Sequence, residues 1–311
     1  MPKMKTYIVS GFLGAGKTTL IRKLLDECFR DVRVALIEND FGEAGIDAAL
    51  LRTGGFEVRE ISSGCICCSL SGDFVRIVGT ISSAFAPEAL IIEPSGVARL
   101  SDIAKVFADE RIGRIAKVRK KIAVVDVRRC ATYLDNFGDF FEDQIACAHV
   151  VVFSRTEGAP EKTERAREIV RRLNPRAEIL SESWDCLSGD RLLSSRRARP
   201  EAREPDDEAL PKGPRLSPPR AGDAFSTLTI RTEKLFDAEE LRRRIARMER
   251  CVCGEILRAK GIVRGTEGYL EVQYLPGELR ISPCEAPGDA LDIVGRGLDE
   301  AELLRLFEEE R

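Results

Sequence analysis

Histidine is almost missing from these 311 residues; there is one, His149. That excludes a histidine-rich tract for loading metal, and its place beside an apolar run makes His149 an expected structural residue rather than a ligand. No apolar run approaches the ~20 residues that span a bilayer. Neither sign of charge is in excess, since 49 Lys and Arg face 52 Asp and Glu for a net −3. Broad attraction to nucleic acid or to an anionic membrane is therefore not expected. Met1-Pro2-Lys3-Met4-Lys5 has no apolar stretch and no cleavage site of a secretory signal, so a cytoplasmic location is expected.

What is present is an ordinary globular composition, 43% hydrophobic and 32% charged, with ten cysteines. The length suggests two domains, each able to bury a core without disulfides or structural metal. Apolar runs of strand length alternate with helical patterns through the first part. Tyr7-Ile8-Val9, Val34 to Ile37, Ala89 to Ile92, Ile122 to Val125, Val150 to Phe153 and Ala177 to Leu180 read as strands. Leu20, Ile21, Leu24, Leu25 and Cys28 recur at helical spacing, as do Phe74, Val75, Ile77, Val78, Ile81 and Phe85. Glu161 to Leu173 is a charged helix pattern closed by Asn174-Pro175. Such continuous strands imply an α/β fold, a doubly wound and mostly parallel sheet. Residues 1–187 are expected to form this domain. From Ser188 to Asp223 the chain turns rich in Arg, Pro, Glu and Ser and reads as a flexible linker. Residues 224–311 read as a smaller α+β domain. Its parts are the alternating strand Phe225 to Ile230, an amphipathic helix around Leu241, Ile245 and Met248, strands at 256–263, 269–274, 278–281 and 292–295, and a closing helix capped near Asp299.

Gly11-Phe-Leu-Gly14-Ala15-Gly16-Lys17-Thr18 follows the first strand and opens a helix, the context of a phosphate-binding loop. Its glycines let successive N–H groups aim at phosphates, and the helix N-terminus adds partial positive charge. Lys17 is expected on the β- and γ-phosphates and the Thr18 hydroxyl on Mg²⁺. Glu93 ends a buried strand where a Mg²⁺-side carboxylate belongs, and Pro94-Ser95-Gly96 follows as a loop able to approach the γ-phosphate.

A phosphate-loop enzyme works in a reducing compartment, where the cysteines read as buried apolar residues, metal ligands or redox groups rather than disulfides. Cys65, Cys67 and Cys68 fall within four residues, too close for unstrained mutual disulfides. Thiolates are soft ligands for Zn²⁺, Cu(I) or a Co- or Fe-type ion, and three leave a tetrahedral site open by one position. The alternative is a set of small buried residues or a redox pair. In Glu38-Asn-Asp40-Phe-Gly-Glu43, Asp40 or Glu43 is placed to add an oxygen ligand, or to sit in a solvated switch loop. Cys251 and Cys253 diverge at the end of a helix. Cys28, Cys130, Cys147, Cys186 and Cys284 are isolated, and buried packing is the expectation for each.

Gly11 to Thr19, Glu38 to Glu43, Gly64-Cys-Ile-Cys-Cys68 and Ile92-Glu-Pro-Ser-Gly96 together resemble the CobW-type GTPases, metallochaperone-like relatives of the hydrogenase and urease nickel-insertion GTPases. Leu257-Arg-Ala-Lys-Gly261 and Val294-Gly-Arg-Gly-Leu298 resemble that family's C-terminal domain, so the likeness covers all but the linker. The resemblance implies GTP and Mg²⁺ binding, slow hydrolysis, and Zn²⁺ or Co²⁺ at the cysteine motif. By position it gives Gly11, Gly14, Ala15, Gly16, Lys17, Thr18, Thr19 and Gly96 to the nucleotide. Glu93 goes to Mg²⁺ or its water, and Cys65, Cys67 and Cys68 to the transferred metal. Asp40 stands where the family usually has Glu. The guanine-reading motif, usually Asn-Lys-x-Asp or a Thr-Lys-x-Asp variant, is here Ser154-Arg155-Thr156-Glu157. Arg155 is placed to stack on the base, and Glu157 must fold back to accept from guanine N1 and N2. GTP is expected over ATP.

The leading expectation is thus a GTPase that delivers metal to a client: a zinc enzyme, a nitrile-hydratase-type protein or a cobalt corrinoid (cobalamin-related) pathway. A GTP-dependent homodimer fits by analogy. A regulatory switch with a structural or vestigial cysteine site, or an activator of a corrinoid or acyl-CoA enzyme, is the alternative.

Overall fold

The computed structural model describes residues 3–38, 57–60, 72–194, 225–248 and 254–308, with the backbone alone at 57–60, 72, 73 and 308. Two compact units divide the chain, residues 1–37 with 66–220 and residues 38–65 with 221–311.

The first sheet orders its seven strands β3-β2-β4-β1-β5-β6-β7. These are β1 (Met4–Gly11), β2 (Val34–Glu38), β3 (Glu57–Glu60), β4 (Ala89–Glu93), β5 (Ala116–Asp126), β6 (Val150–Ser154) and β7 (Glu178–Leu180). β1 runs parallel to both β4 and β5, and β6 runs parallel to β5 and β7. Every residue of β2, β4 and β6 is buried, as expected for Val-, Leu- and Ile-rich strands covered on both faces. The chain steps to one side of β1 for β2 and to the other for β5, β6 and β7. This makes β1 the switch point of a doubly wound α/β sheet, with ligand space at its carboxyl end.

Helices α1 (Lys17–Cys28), α2 (Gly72–Phe85) and α6 (Pro160–Leu173) fall where the periodicity put them. The short helices α3 (Leu100–Val106) and α4 (Glu110–Ile115) and the long α5 (Cys130–Ala146) were not foreseen. α5 hides its period because Phe137 breaks the helical geometry at φ −133° and Gly138 follows it. β5 starts at Ala116, ahead of the apolar run at Ile122. Its first half alternates buried and exposed residues among Lys and Arg and shifts register by a bulge. The linker expected from Ser188 begins instead with a helical turn, α7 (Gly189–Ser194). There Leu192 is fully buried and the Gly189 N–H donates to Glu27 Oε2 at 2.6 Å, so docking on α1 overrides the polar composition.

The second unit holds an antiparallel sheet ordered β11-β10-β9-β12-β8. Its strands are β8 (Ser226–Arg231), β9 (Glu255–Gly265), β10 (Gly268–Leu275), β11 (Glu278–Cys284) and β12 (Ala290–Arg296). Helices α8 (Ala238–Met248) and α9 (Glu300–Glu308) bury Leu241, Ile245, Met248, Leu303 and Phe307 against Ile230, Val272, Leu291 and Ile293. Asp299 caps α9, accepting from Glu302 N at 3.0 Å.

In the first unit, Phe12 stacks on Phe137 with centroids 5.0 Å apart and packs on Tyr133 and Phe141. Phe12→Ala is expected to cost about 3–5 kcal/mol, the range for emptying a buried aromatic site. Urea unfolding followed by Trp184, the only tryptophan, reads that loss within this unit.

Candidate nucleotide site

β1 delivers the glycine loop at the carboxyl edge of the sheet. Gly11, Gly14 and Gly16 have φ of 147°, 69° and 103°, a backbone that side-chain-bearing residues rarely adopt. α1 then begins at Lys17 with no acidic residue in its first turn, so its partial positive charge is not offset there. The loop is rigid from below. Phe12 and Leu13 are each 1% exposed, and Tyr133 Oη donates to the Leu13 carbonyl at 3.3 Å.

Lys17 and Glu93 are buried, at 5% and 7% exposure. Lys17 Nζ lies 3.9 Å from Glu93 Oε1, and Thr18 Oγ1 is 3.2 Å from each carboxylate oxygen. Either charge alone would be costly to bury; paired and hydrogen-bonded, the two are neutral overall. Thr18 Oγ1 and the Glu93 carboxylate form a side-by-side pair of hard oxygen donors, and this donor set fits Mg²⁺.

The loop after β4 touches the first one. A Cβ built on Gly96 would stand 2.7 Å from Leu13 Cδ2 and 2.9 Å from the Leu13 nitrogen, so only glycine allows this approach. Gln144, 1% exposed on α5, fixes the same loop: its Nε2 donates to the carbonyls of Gly96 at 3.0 Å and Ala98 at 2.9 Å. Asp143 Oδ2 accepts from Ser101 N at 2.9 Å. α5 thus holds both loops, Tyr133 on one and Gln144 on the other. A buried glutamine in an unassigned helix carried no signal in the sequence.

The segment after β6 is fastened to the glycine loop. Ser154 Oγ donates to the Ala15 carbonyl at 2.8 Å, and Arg155 Nη2 approaches the Gly14 carbonyl at 3.5 Å. Arg155 Nη1 pairs with Asp126 Oδ2 at 3.2 Å. The guanidinium expected to be open for base stacking is thus already engaged at its edge. Glu157 is exposed, and its carbonyl accepts from Arg128 Nη2 at 2.9 Å. Trp184 donates from Nε1 to the Phe153 carbonyl at 2.7 Å, and its ring edge would lie 3.1 Å from a Cβ on Gly16. Asp126, Arg128 and Trp184, like Tyr133 and Gln144, are site residues that sequence reasoning missed.

Asp40, Glu43, Cys65, Cys67, Cys68, Cys251 and Cys253 lie outside the described residues. Among the described residues no group of three His, Cys, Asp or Glu side chains could hold a metal ion. Three of the described thiols are held protonated by burial. Burial, with the nearby Asp126 charge, pushes Cys130 up to about 12, and burial with Asp143 pushes Cys147 up to about 11. Burial also raises Cys28. Buried packing holds for Cys130; Cys28, Cys147 and Cys284 are half-buried, and Cys186 is exposed at the turn before α7, which corrects the expectation of burial. His149 is structural, its Nδ1 accepting from Lys121 N at 3.2 Å. Among the described residues no helix is long and apolar enough to cross a membrane.

The family model described as "CobW/HypB/UreG, nucleotide-binding domain" matches residues 5–181, and that of the "Cobalamin synthesis protein cobW C-terminal domain" matches residues 225–311. The chain is 30% identical over 190 residues to the zinc chaperone YeiR of Escherichia coli, covering 61% of this chain and 54% of that protein. It is 27% identical over 231 residues to zinc-regulated GTPase metalloprotein activator 1 of Dictyostelium discoideum, covering 62% of this chain and 48% of that protein. The chain thus spans about half the length of the curated relatives it matches. Among solved structures, the Zn(II)-bound YjiA GTPase from E. coli is similar, with a TM-score of 0.48, 21% identity, and coverage of 99% of this chain and 98% of that one.

With a pKa of about 12, Cys130 carries a thiolate fraction on the order of 10⁻⁴ at pH 8. Iodoacetamide at pH 8 is therefore expected to label Cys186 and spare Cys130 and Cys147 in the native protein, read by peptide mass spectrometry.

Proposed function

Because the chain belongs to the CobW/HypB/UreG family, we propose that it binds GTP with Mg²⁺, hydrolyses it, and uses that cycle to take up a transition metal and hand it to a client protein. The observation that carries this reading is the buried Lys17–Glu93–Thr18 cluster beneath a glycine loop. An arriving triphosphate would replace Glu93 as the partner of Lys17 and leave the carboxylate and Thr18 to the cation. Mg²⁺, when bound, would offset charge on the β- and γ-phosphates. Water then attacks the γ-phosphorus and the bond to the β-phosphate oxygen breaks, giving GDP and phosphate. Backbone N–H groups of Gly14 and Gly16 and the Lys17 ammonium would hold the phosphate oxygens, and the Ala15 N–H, which donates to the Phe12 carbonyl at 3.2 Å, would have to turn from it to join them. Thr19 extends the same helix start. Asp40 has its catalytic part by its place in the Glu38 to Glu43 motif.

Cys65, Cys67 and Cys68 are the metal-carrying thiolates in this reading, with Asp40 or Glu43 adding oxygen. Zinc leads over cobalt, because relatives carry the names zinc chaperone and zinc-regulated metalloprotein activator. Gly96 is the coupling point in this reading, since its loop lies directly against Leu13 of the glycine loop. A GTP-dependent homodimer is the assembly in which such a cycle would meet its client. The base is guanine, read by Glu157 with Ser154 and Arg155 framing the pocket.

Competition titration of Zn²⁺ and Co²⁺ without nucleotide, with Mg·GDP and with Mg plus a non-hydrolysable GTP analogue tests this. Metal affinity is expected to rise at least about tenfold (~1.4 kcal/mol) with the analogue and to disappear in Cys65→Ser/Cys67→Ser/Cys68→Ser. Equal affinity in all three states would contradict nucleotide-gated metal delivery.

A further inference from the structure

Building on the guanine-nucleotide reading of this site, we infer that Asp126 is a positioning residue that sets base preference by shaping the Ser154 to Glu157 segment. Asp126 ends β5, directly beside Ser154 in the sheet register. Its side chain is 1% exposed. One carboxylate oxygen accepts a hydrogen bond, and the other stands in an ion pair. Oδ1 accepts from Arg128 N at 2.9 Å, which orients the group, and Oδ2 faces Arg155 Nη1 at 3.2 Å.

What the carboxylate holds is unusual. Arg155 has φ 58°, a left-handed backbone that residues with a side chain rarely adopt. Such a conformation persists only where its surroundings determine it. Here three contacts do so. Asp126 takes one guanidinium nitrogen, the Gly14 carbonyl lies 3.5 Å from the other, and the Arg155 carbonyl accepts from Arg128 Nε at 3.3 Å. Arg128 also holds the Glu157 carbonyl at 2.9 Å. Asp126 therefore governs the segment twice, through the Arg155 side chain and through the turn that aims Arg128.

This matters for the base because Glu157 is longer than the aspartate usual at that place. A longer arm makes the contact to a guanine edge depend on where its backbone is held, and Arg128 holds it. The Arg155 guanidinium, fixed at its edge, keeps a plane for the purine face; its side chain is 32% exposed. A flat cation does not tell guanine from adenine, whereas a carboxylate placed on N1 and N2 does. Loss of the Asp126 charge should then weaken guanine nucleotides selectively.

The test is calorimetric binding of GDP and ADP to the full chain and to Asp126→Asn, Arg155→Met and the double variant. Asp126→Asn keeps size and an Oδ1 acceptor and removes the charge. GDP affinity is expected to fall about tenfold and ADP affinity by less than about twofold, with a smaller effect of Asp126→Asn in the Arg155→Met background. Parallel losses for the two nucleotides, no change, or an undiminished effect in that background would overturn the inference. If Asp126→Asn does not fold, Arg128→Ala, which removes an exposed side chain, carries the same selectivity expectation. A wild-type chain that binds neither nucleotide, or shows no GDP preference, would sink the guanine reading itself, an outcome visible before any variant is compared.

Discussion

A lysine and a glutamate buried together at the end of two neighbouring strands survive only as partners. Lys17 on the glycine loop and Glu93 at the end of β4 neutralise one another, and Thr18 spans both carboxylate oxygens. The positions of β1 and β4, paired in parallel from Lys5 and Ala89 to Ile8 and Ile92, are what bring these groups to one edge. The ammonium is buried beside the carboxylate, and in the proposed cycle a phosphate would displace that partner and a divalent cation would take it over.

Around that cluster the three loops of the site are not independent. α5 supports the glycine loop through Tyr133 and Phe137 and the Gly96 loop through Gln144, while Ser154 and Arg155 grip the glycine loop from the other side. Leu13 is common to two of these contacts, under the Tyr133 hydroxyl and against Gly96.

Much of this was legible in the sequence because the strongest signals are short-range. The glycine loop needs its residue types at fixed spacing, and the fully apolar strands announce a sheet covered on both faces. On β8 the alternation is visible, with Leu228 and Ile230 packed on the core shared with α8 and α9, whereas β9 and β12 are buried almost throughout. What stayed hidden is long-range or masked by charge. α5 was unread because Phe137 and Gly138 interrupt its period. The first half of β5 was unread because Lys117, Arg119 and Lys121 look like a loop although Lys120 between them is buried. Gln144, Asp126 and Arg128 act on carbonyls and side chains tens of residues away, a relation no spacing records. Cys186 shows the opposite failure: the default of burial for an isolated cysteine does not hold in a turn.

The central claim is that Glu93 serves two partners in turn, Lys17 when the site is free and the Mg²⁺ side when nucleotide is bound. The most direct measurement is GDP affinity with and without Mg²⁺ for the wild-type chain and for Glu93→Gln, which keeps the shape and removes the charge. The account predicts that without Mg²⁺ the variant binds GDP as well as or better than wild type, because Lys17 loses a competing carboxylate, and that the gain from adding Mg²⁺ is lost. A variant that binds GDP more weakly without Mg²⁺ yet keeps the full Mg²⁺ gain would contradict it.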